Sequence, residues 1–72
     1  MEFLFVKFDD KRFLVIDDAP TAWETNEAVL IQAGPHVISL SSPPANFSPP
    51  EIEVDMINTS VLNPKQIRFE KV

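Results

Sequence analysis

Strict alternation of charged and apolar side chains is the feature of this sequence that most restricts its fold. Within Glu51–Met56, acidic residues occupy every second position and apolar residues occupy the others. The segment Lys65–Lys71 repeats the pattern, with Ile67 and Phe69 at apolar positions. Successive side chains of a β-strand point to opposite faces, so a period of two places the apolar residues on one buried face. Both segments are therefore predicted to be strands of a sheet whose other face is exposed.

Four further segments have the length and composition of short strands: Phe3–Phe8, Phe13–Asp17, Val29–Gln32 and His36–Leu40. The polar connection Asp9–Arg12 predicts a β-hairpin between the first two, in which Phe8 faces Phe13. Ala33–Pro35 forms another tight connection, where Gly34 is free to take a positive φ angle. About six short strands at close spacing predict an all-β fold, a small antiparallel β-sandwich that forms one domain over residues 1–72.

Two segments decide whether the chain contains a helix. Ser41–Pro50 holds four prolines, which lack the amide donor that a helix needs, so we expect a loop that Phe47 anchors to the core. Thr21–Ala33 is preceded by Asp18, a residue type that caps helices, but it contains several weak helix formers and no helical apolar stripe. Strand and loop are therefore favoured over helix in this segment as well.

The chain must maintain its fold with one small apolar core. Its 72 residues include no cysteine and one histidine, which excludes a disulfide framework, a thiolate metal site and a multi-histidine metal cluster. Below roughly 70–80 residues a single core seldom contributes more than about 3–5 kcal/mol. We therefore expect nearly every large apolar side chain to be buried, including Trp23 and Phe47.

Charge is unevenly distributed along the chain. The formal net charge is -5, which argues against a nucleic-acid binder because phosphate contacts need a basic patch. Between Phe13 and Pro64 there are seven acidic residues and no Lys or Arg. One explanation is cross-strand pairing of Arg68 with Glu53 and Asp55, and this is the one we favour. The other is an acidic face that binds a basic partner.

An acidic pair at the end of a predicted strand offers one candidate for chemistry. Asp17 and Asp18, together with Asp55, are similar to the acidic set of a response-regulator receiver, in which paired acids hold Mg²⁺ beside a phosphate-accepting aspartate. A receiver alternates strands with helices over a longer chain, whereas the loop Ser41–Pro50 replaces its second helix here. Because the acids match a receiver but the architecture does not, a degenerate Mg²⁺-dependent phospho-acceptor is kept as the alternative function.

Nucleophilic catalysis by a Ser-His-Asp triad would require His36, the one histidine. The chain has a single glycine, Gly34, so no G-x-S-x-G nucleophile elbow exists. A structural role for His36 is expected, and no enzymatic activity is predicted.

Six segments of the chain together match the pattern of a known family: Val15–Asp18, Trp23–Asn26, Gly34–Leu40, Phe47–Pro49, Ile52–Val54 and Thr59–Phe69. Through them the chain resembles, over nearly its whole length, a PEGA domain, a small β-rich module of bacterial and archaeal proteins. The most recognisable is Gly34–Leu40, which looks like the family strand G-x-H-x-I/V-x-L. Asp18 departs from the family because it replaces the usual turn glycine, so we expect different backbone angles there.

The resemblance implies a non-enzymatic module for protein interaction or for spacing, with no catalytic residue and no cofactor. The candidate partner-binding residues are Trp23, Phe47, Glu51, Glu53 and Asp55. We expect a protein partner of unknown identity and no nucleic acid.

The N-terminal apolar segment bears on membranes and on self-association. The run Phe3–Val6 is too short to cross a bilayer and lacks the features of a signal peptide, so we expect no membrane insertion and a cytoplasmic location. An apolar strand near a chain terminus pairs readily with copies of itself if its edge is free. We therefore expect either weak homodimerisation through Phe3–Phe8 or burial of this strand in mid-sheet.

Overall fold

Nine strands and no helix make up the computed structural model, which describes all 72 residues. In chain order the strands are β1 Glu2–Lys7, β2 Phe13–Ile16, β3 Ala19–Glu24, β4 Ala28–Ile31, β5 Gly34–Leu40, β6 Phe47–Ser48, β7 Ile52–Met56, β8 Lys65–Arg68 and β9 Glu70–Lys71. All six predicted segments contain strands, but Lys65–Lys71 is divided into β8 and β9, which belong to different sheets. The helix considered for Thr21–Ala33 is absent, and that segment contains parts of β3 and all of β4.

Two sheets pack face to face. One has three strands in the order β4-β1-β8, and the other has four in the order β3-β2-β5-β7. A two-stranded ribbon of β6 and β9 accompanies them. The core between the sheets consists of eleven buried side chains: Leu4, Val6, Phe8, Leu14, Val29, Ile31, Ile38, Leu40, Val54, Met56 and Phe69. The prediction of a small all-β sandwich is confirmed.

The predicted hairpin between β1 and β2 is wrong, because the two strands belong to different sheets. Strand β1 lies between β4 and β8, so it is buried in mid-sheet, the second of the two arrangements expected for it. It pairs with β4 in antiparallel orientation and with β8 in parallel orientation. Because of the pairing with β8, the sandwich is not purely antiparallel as predicted. The connection around Gly34 likewise carries the chain from one sheet to the other, since β4 and β5 are not neighbours.

The side chains of Thr25 and Asn26 form hydrogen bonds with the backbone of the connection between β1 and β2. The Asn26 side chain accepts a hydrogen bond from the Phe8 N–H at 3.2 Å and donates one to the Phe8 carbonyl at 2.9 Å. The Thr25 hydroxyl accepts from the Arg12 N–H at 3.1 Å and donates to the Asp10 carbonyl at 2.7 Å. These polar groups bind the backbone of the connection to a distant segment, so it cannot close as a hairpin turn.

The turn between β2 and β3 shows that the backbone angles expected for Asp18 are wrong. Asp17 and Asp18 have φ angles of 51° and 65° and connect the paired residues Ile16 and Ala19. Two consecutive positive φ angles in a two-residue hairpin loop are typical of a type I′ turn, in which Asp is tolerated. Asp18 therefore adopts the left-handed conformation expected of the glycine that it replaces.

Phe47 anchors the proline-rich loop, as the sequence predicts. Its ring contacts those of Phe8 and Phe69 edge to face, with centroid distances of 6.4 Å and 5.7 Å. The Arg12 guanidinium lies 5.6 Å from the Phe47 ring centroid and donates to the carbonyls of Ser41 and Pro44 and to the Asn46 side chain. Arg12 and Phe47 together attach the loop to the core.

Replacing the Thr25 hydroxyl should measurably destabilise the fold. Thr25 is 1% exposed, so Thr25→Val leaves the Arg12 N–H and the Asp10 carbonyl without their partner at nearly constant side-chain volume. We expect a loss of about 1–3 kcal/mol in the free energy of unfolding, measured by urea denaturation. Thr25→Ser keeps the hydroxyl and serves as the matched control. Equal stability of Thr25→Val and the wild type would contradict this role.

Candidate functional site

The outer face of the four-stranded sheet carries the predicted acidic residues of β7. Val54 and Met56 are buried against the core, so Glu53 and Asp55 between and beside them point outward. In the register of β5 and β7, Glu53 lies opposite Val37 and Asp55 opposite Pro35. A groove of about 490 Å³ runs along this pair of strands and reaches Asp17 and His36 at the end of the sheet.

A second groove adjoins the first at Val37. It brings Asp18 and Glu51 to the same outer face, beside Val15 and Ser39. We define the acidic face by the five carboxylates that line the two grooves: Asp17, Asp18, Glu51, Glu53 and Asp55. The four strands of this sheet contain no Lys or Arg.

The expected pairing of Arg68 with the β7 acids is wrong. Arg68 belongs to the other sheet, and its Nε lies 3.1 Å from Glu70 Oε1. The remaining ion pairs join Lys71 to Asp10 and His36 to Asp17. Glu51, Glu53, Asp55 and Asp18 therefore have no cationic partner within the protein.

Asp17 and His36 form the one ion pair of the acidic face. The His36 Nδ1 donates to Asp17 Oδ2 at 2.6 Å, and Nε2 donates to the Gln32 carbonyl at 2.8 Å. The other Asp17 oxygen accepts from the Val37 N–H at 2.9 Å, while the Asp17 N–H donates to the Val37 carbonyl at the same distance. The carboxylate thus extends the pairing of β2 and β5 by one residue and holds the ring of His36.

This geometry favours the charged forms of both residues. Each ring nitrogen of His36 faces an acceptor, and only the imidazolium can donate from both. The hydrogen bond to Asp17 therefore raises the pKa of His36 above its usual value, although burial opposes the shift. The hydrogen bonds from the Val37 N–H and from His36 lower the pKa of Asp17. Because both ring nitrogens are engaged, neither is free to deprotonate a nucleophile.

The predicted partner-binding residues lie in three different environments. Glu51, Glu53 and Asp55 share the acidic face. Trp23 lies on the edge strand β3 and is 40% exposed, so its expected burial is wrong. Phe47 packs against the core. The Asp17–His36 pair cannot be predicted from the local sequence, because its two residues meet only where β2 and β5 are neighbours.

The acids of the receiver hypothesis are only partly brought together. Asp17 and Asp55 line one groove, whereas Asp18 lines the other. No three His, Asp or Glu side chains of the structure are placed to share a metal ion. The α/β architecture on which the receiver hypothesis depends is absent, since the chain has no helix.

Comparisons with known proteins add no family assignment. No protein-family model matches the chain, and neither the curated proteins nor the solved structures include a match. The resemblance to a PEGA domain stays a prediction. The structure contains no helix that is long and apolar enough to cross a bilayer.

The Asp17–His36 pair should make stability depend on pH in two windows. The raised pKa of His36 contributes stability that is fully present below the unfolded value of about 6.5 and is lost as the pH rises through the folded pKa. The lowered pKa of Asp17 contributes stability that is present above about 3.9 and is lost as the pH falls through its folded pKa. Urea denaturation across this range measures both slopes.

His36→Asn is the control variant, because its amide can still donate toward Asp17 but does not titrate. We expect this variant to lack the decrease in stability that the wild type shows as the pH rises above about 6.5, and to keep the decrease in acid. NMR titration of the single histidine ring gives the pKa directly. A ring pKa at or below about 6.5 would contradict the assignment of the pair.

Proposed function

We propose that this chain is a non-enzymatic protein-interaction module whose acidic face binds a basic surface of a partner protein. The observation that carries the proposal is the lack of any Lys or Arg on this face, while four of its five carboxylates have no cationic partner. The acidic face would attract a partner that carries positive charge and would fix the orientation in which that partner binds.

The arrangement of Glu53 and Asp55 supports this proposal. They lie two residues apart on one strand and therefore point to the same side, roughly 7 Å apart along the strand. Like charges at this spacing repel each other, and the attraction of each carboxylate to nearby cations of a partner would offset that repulsion. Val37 lines the same groove as Glu53 and Asp55, and Val15 lines the adjoining groove. Both valines are partly buried, so a partner would also cover apolar surface.

A purely structural explanation of the same acids has to be tested. Strand β7 is an edge of its sheet, and charged residues on an edge strand prevent pairing with other chains. Lysine protects an edge as well as an acid does, so replacing Glu53 and Asp55 by lysine reverses the charge and keeps the protection. The two explanations therefore predict different results for the same variant.

The decisive comparison is between two variants that change the net charge equally. The variant E53K/D55K alters the acidic face, whereas D9K/E27K alters two acids outside it that form no ion pair. A fluorescent peptide of alternating lysine and threonine is the probe, and its anisotropy is followed at low and at physiological ionic strength. We expect E53K/D55K to bind at least about tenfold more weakly than the wild type. D9K/E27K should retain most of the affinity.

Equal weakening in both variants would show that the peptide responds only to net charge, and it would contradict a specific acidic face. Unchanged binding by E53K/D55K would assign the β7 acids to edge protection alone.

The PEGA resemblance and a cytoplasmic location remain part of this proposal. A PEGA-like module with no catalytic residue agrees with a binding role, and so does the engagement of both His36 nitrogens by structural hydrogen bonds. No observation favours the phospho-acceptor alternative, whose helical architecture is absent.

A further inference from the structure

The outer face of the three-stranded sheet has the opposite character to the acidic face. Leu4 and Val6 are buried, so the residues that alternate with them in β1 point outward: Phe3, Phe5 and Lys7. On the flanking strands, Leu30 lies opposite Phe3 and Arg68 beside Lys7. We define the basic-apolar face by Phe3, Phe5, Lys7, Leu30 and Arg68.

Two cations lie side by side on this face. Lys7 and Arg68 are register partners on adjacent strands, roughly 4.8 Å apart in the pairing direction. Like charges in such positions destabilise a sheet. Arg68 has Glu70 as a partner, but the two side chains are 57% and 66% exposed. An ion pair this exposed is weak, so Arg68 can pair with a carboxylate of another molecule instead. Lys7 has no partner.

The three apolar side chains of the face are adjacent to one another. Phe3 and Phe5 are consecutive outward residues of the central strand, and Leu30 is 40% exposed next to Phe3. Their apolar surface borders the two cations. A partner that fits this face therefore needs carboxylates beside a small apolar patch.

We propose that the basic-apolar face binds the acidic face of a second copy of this chain. The acidic face offers carboxylates beside apolar side chains. Glu53 and Asp55 line one groove with Val37, and Asp18 and Glu51 line the adjoining groove with Val15. This proposal rests on the proposed function, because it names the basic surface that the acidic face binds. The two faces lie on opposite sides of the sandwich, so one copy can bind a neighbour on each side. The contact is heterologous, and repeated copies form an open chain rather than a closed dimer.

The size of the faces sets the strength of the contact. Three strands spaced roughly 4.8 Å apart and four or five residues long span about 14 by 15 Å, or roughly 200 Å² per copy. A standard stable interface buries about 800 Å² per partner. The association should therefore be weak, appear only at high protein concentration and weaken further with added salt, since exposed charges are screened.

Charge-reversed variants test the proposal. K7E/R68E makes both faces acidic, whereas E53K/D55K places two lysines on the acidic face, where only Asp17, Asp18 and Glu51 remain as acids. Sedimentation velocity and NMR line widths are measured over a concentration series at low ionic strength. We expect the wild type to associate with increasing concentration, each variant alone to stay monomeric, and their equimolar mixture to associate. K11E/K65E is the matched control, since both lysines lie outside the basic-apolar face, and it should associate like the wild type.

Separate readouts distinguish this proposal from the proposed function. K7E/R68E should bind the lysine-threonine peptide at least as well as the wild type, because its acidic face is unchanged. A wild type that stays monomeric at every concentration, or a K7E/R68E variant that associates normally, overturns the self-association and leaves the peptide result standing. Binding to anionic phospholipid vesicles by a strictly monomeric wild type, lost in K7E/R68E, would identify a membrane as the occupant and also overturn it.

Discussion

Burial of one apolar layer between two small sheets is the interaction on which the rest of this structure depends. No disulfide contributes to the fold, so the eleven core side chains are its main source of stability. Each sheet must turn its apolar positions inward to form that layer. Strand geometry then fixes the direction of every intervening side chain, which has to point outward. The chemistry of both outer faces therefore follows from the same alternation that builds the core.

Much of the fold could be predicted from local patterns, whereas strand pairing could not. The alternation in Glu51–Met56 gave the correct strand and the correct inward face. The hairpin between β1 and β2 failed because Thr25 and Asn26, distant in sequence, hold the connection with their side chains. Strand β3 was missed because its sequence, which includes Pro20, Thr21 and Glu24, does not form an apolar pattern. Pro20 is tolerated there since β3 is an edge strand.

The residues of the candidate site also fall into two groups, those that local patterns predict and those that depend on strand pairing. Glu53 and Asp55 could be assigned to an exposed face because their own strand alternates. Asp17 and His36 are 19 residues apart, and they meet only because β2 and β5 are neighbours and because Asp17 takes a positive φ angle. A turn built from two aspartates thus has a second function, since one of its carboxylates continues the strand pairing and binds the histidine. Neither requirement is visible in the local sequence.

The segregation of charge argues that the outer faces contribute to more than the fold. Opposite charges on neighbouring strands of one sheet stabilise it by about 0.2–1 kcal/mol for each pair. The four-stranded sheet has no such pair of Lys or Arg with an acid, and the three-stranded sheet places Lys7 beside Arg68. Edge protection accounts for acids on β7, but it does not account for Asp18, which lies in a turn, or for the complete lack of Lys and Arg on β2 and β5 in mid-sheet. A small domain with a modest core gains no stability from this arrangement. Contact with an oppositely charged surface, as proposed above, would account for both faces by the same physical principle.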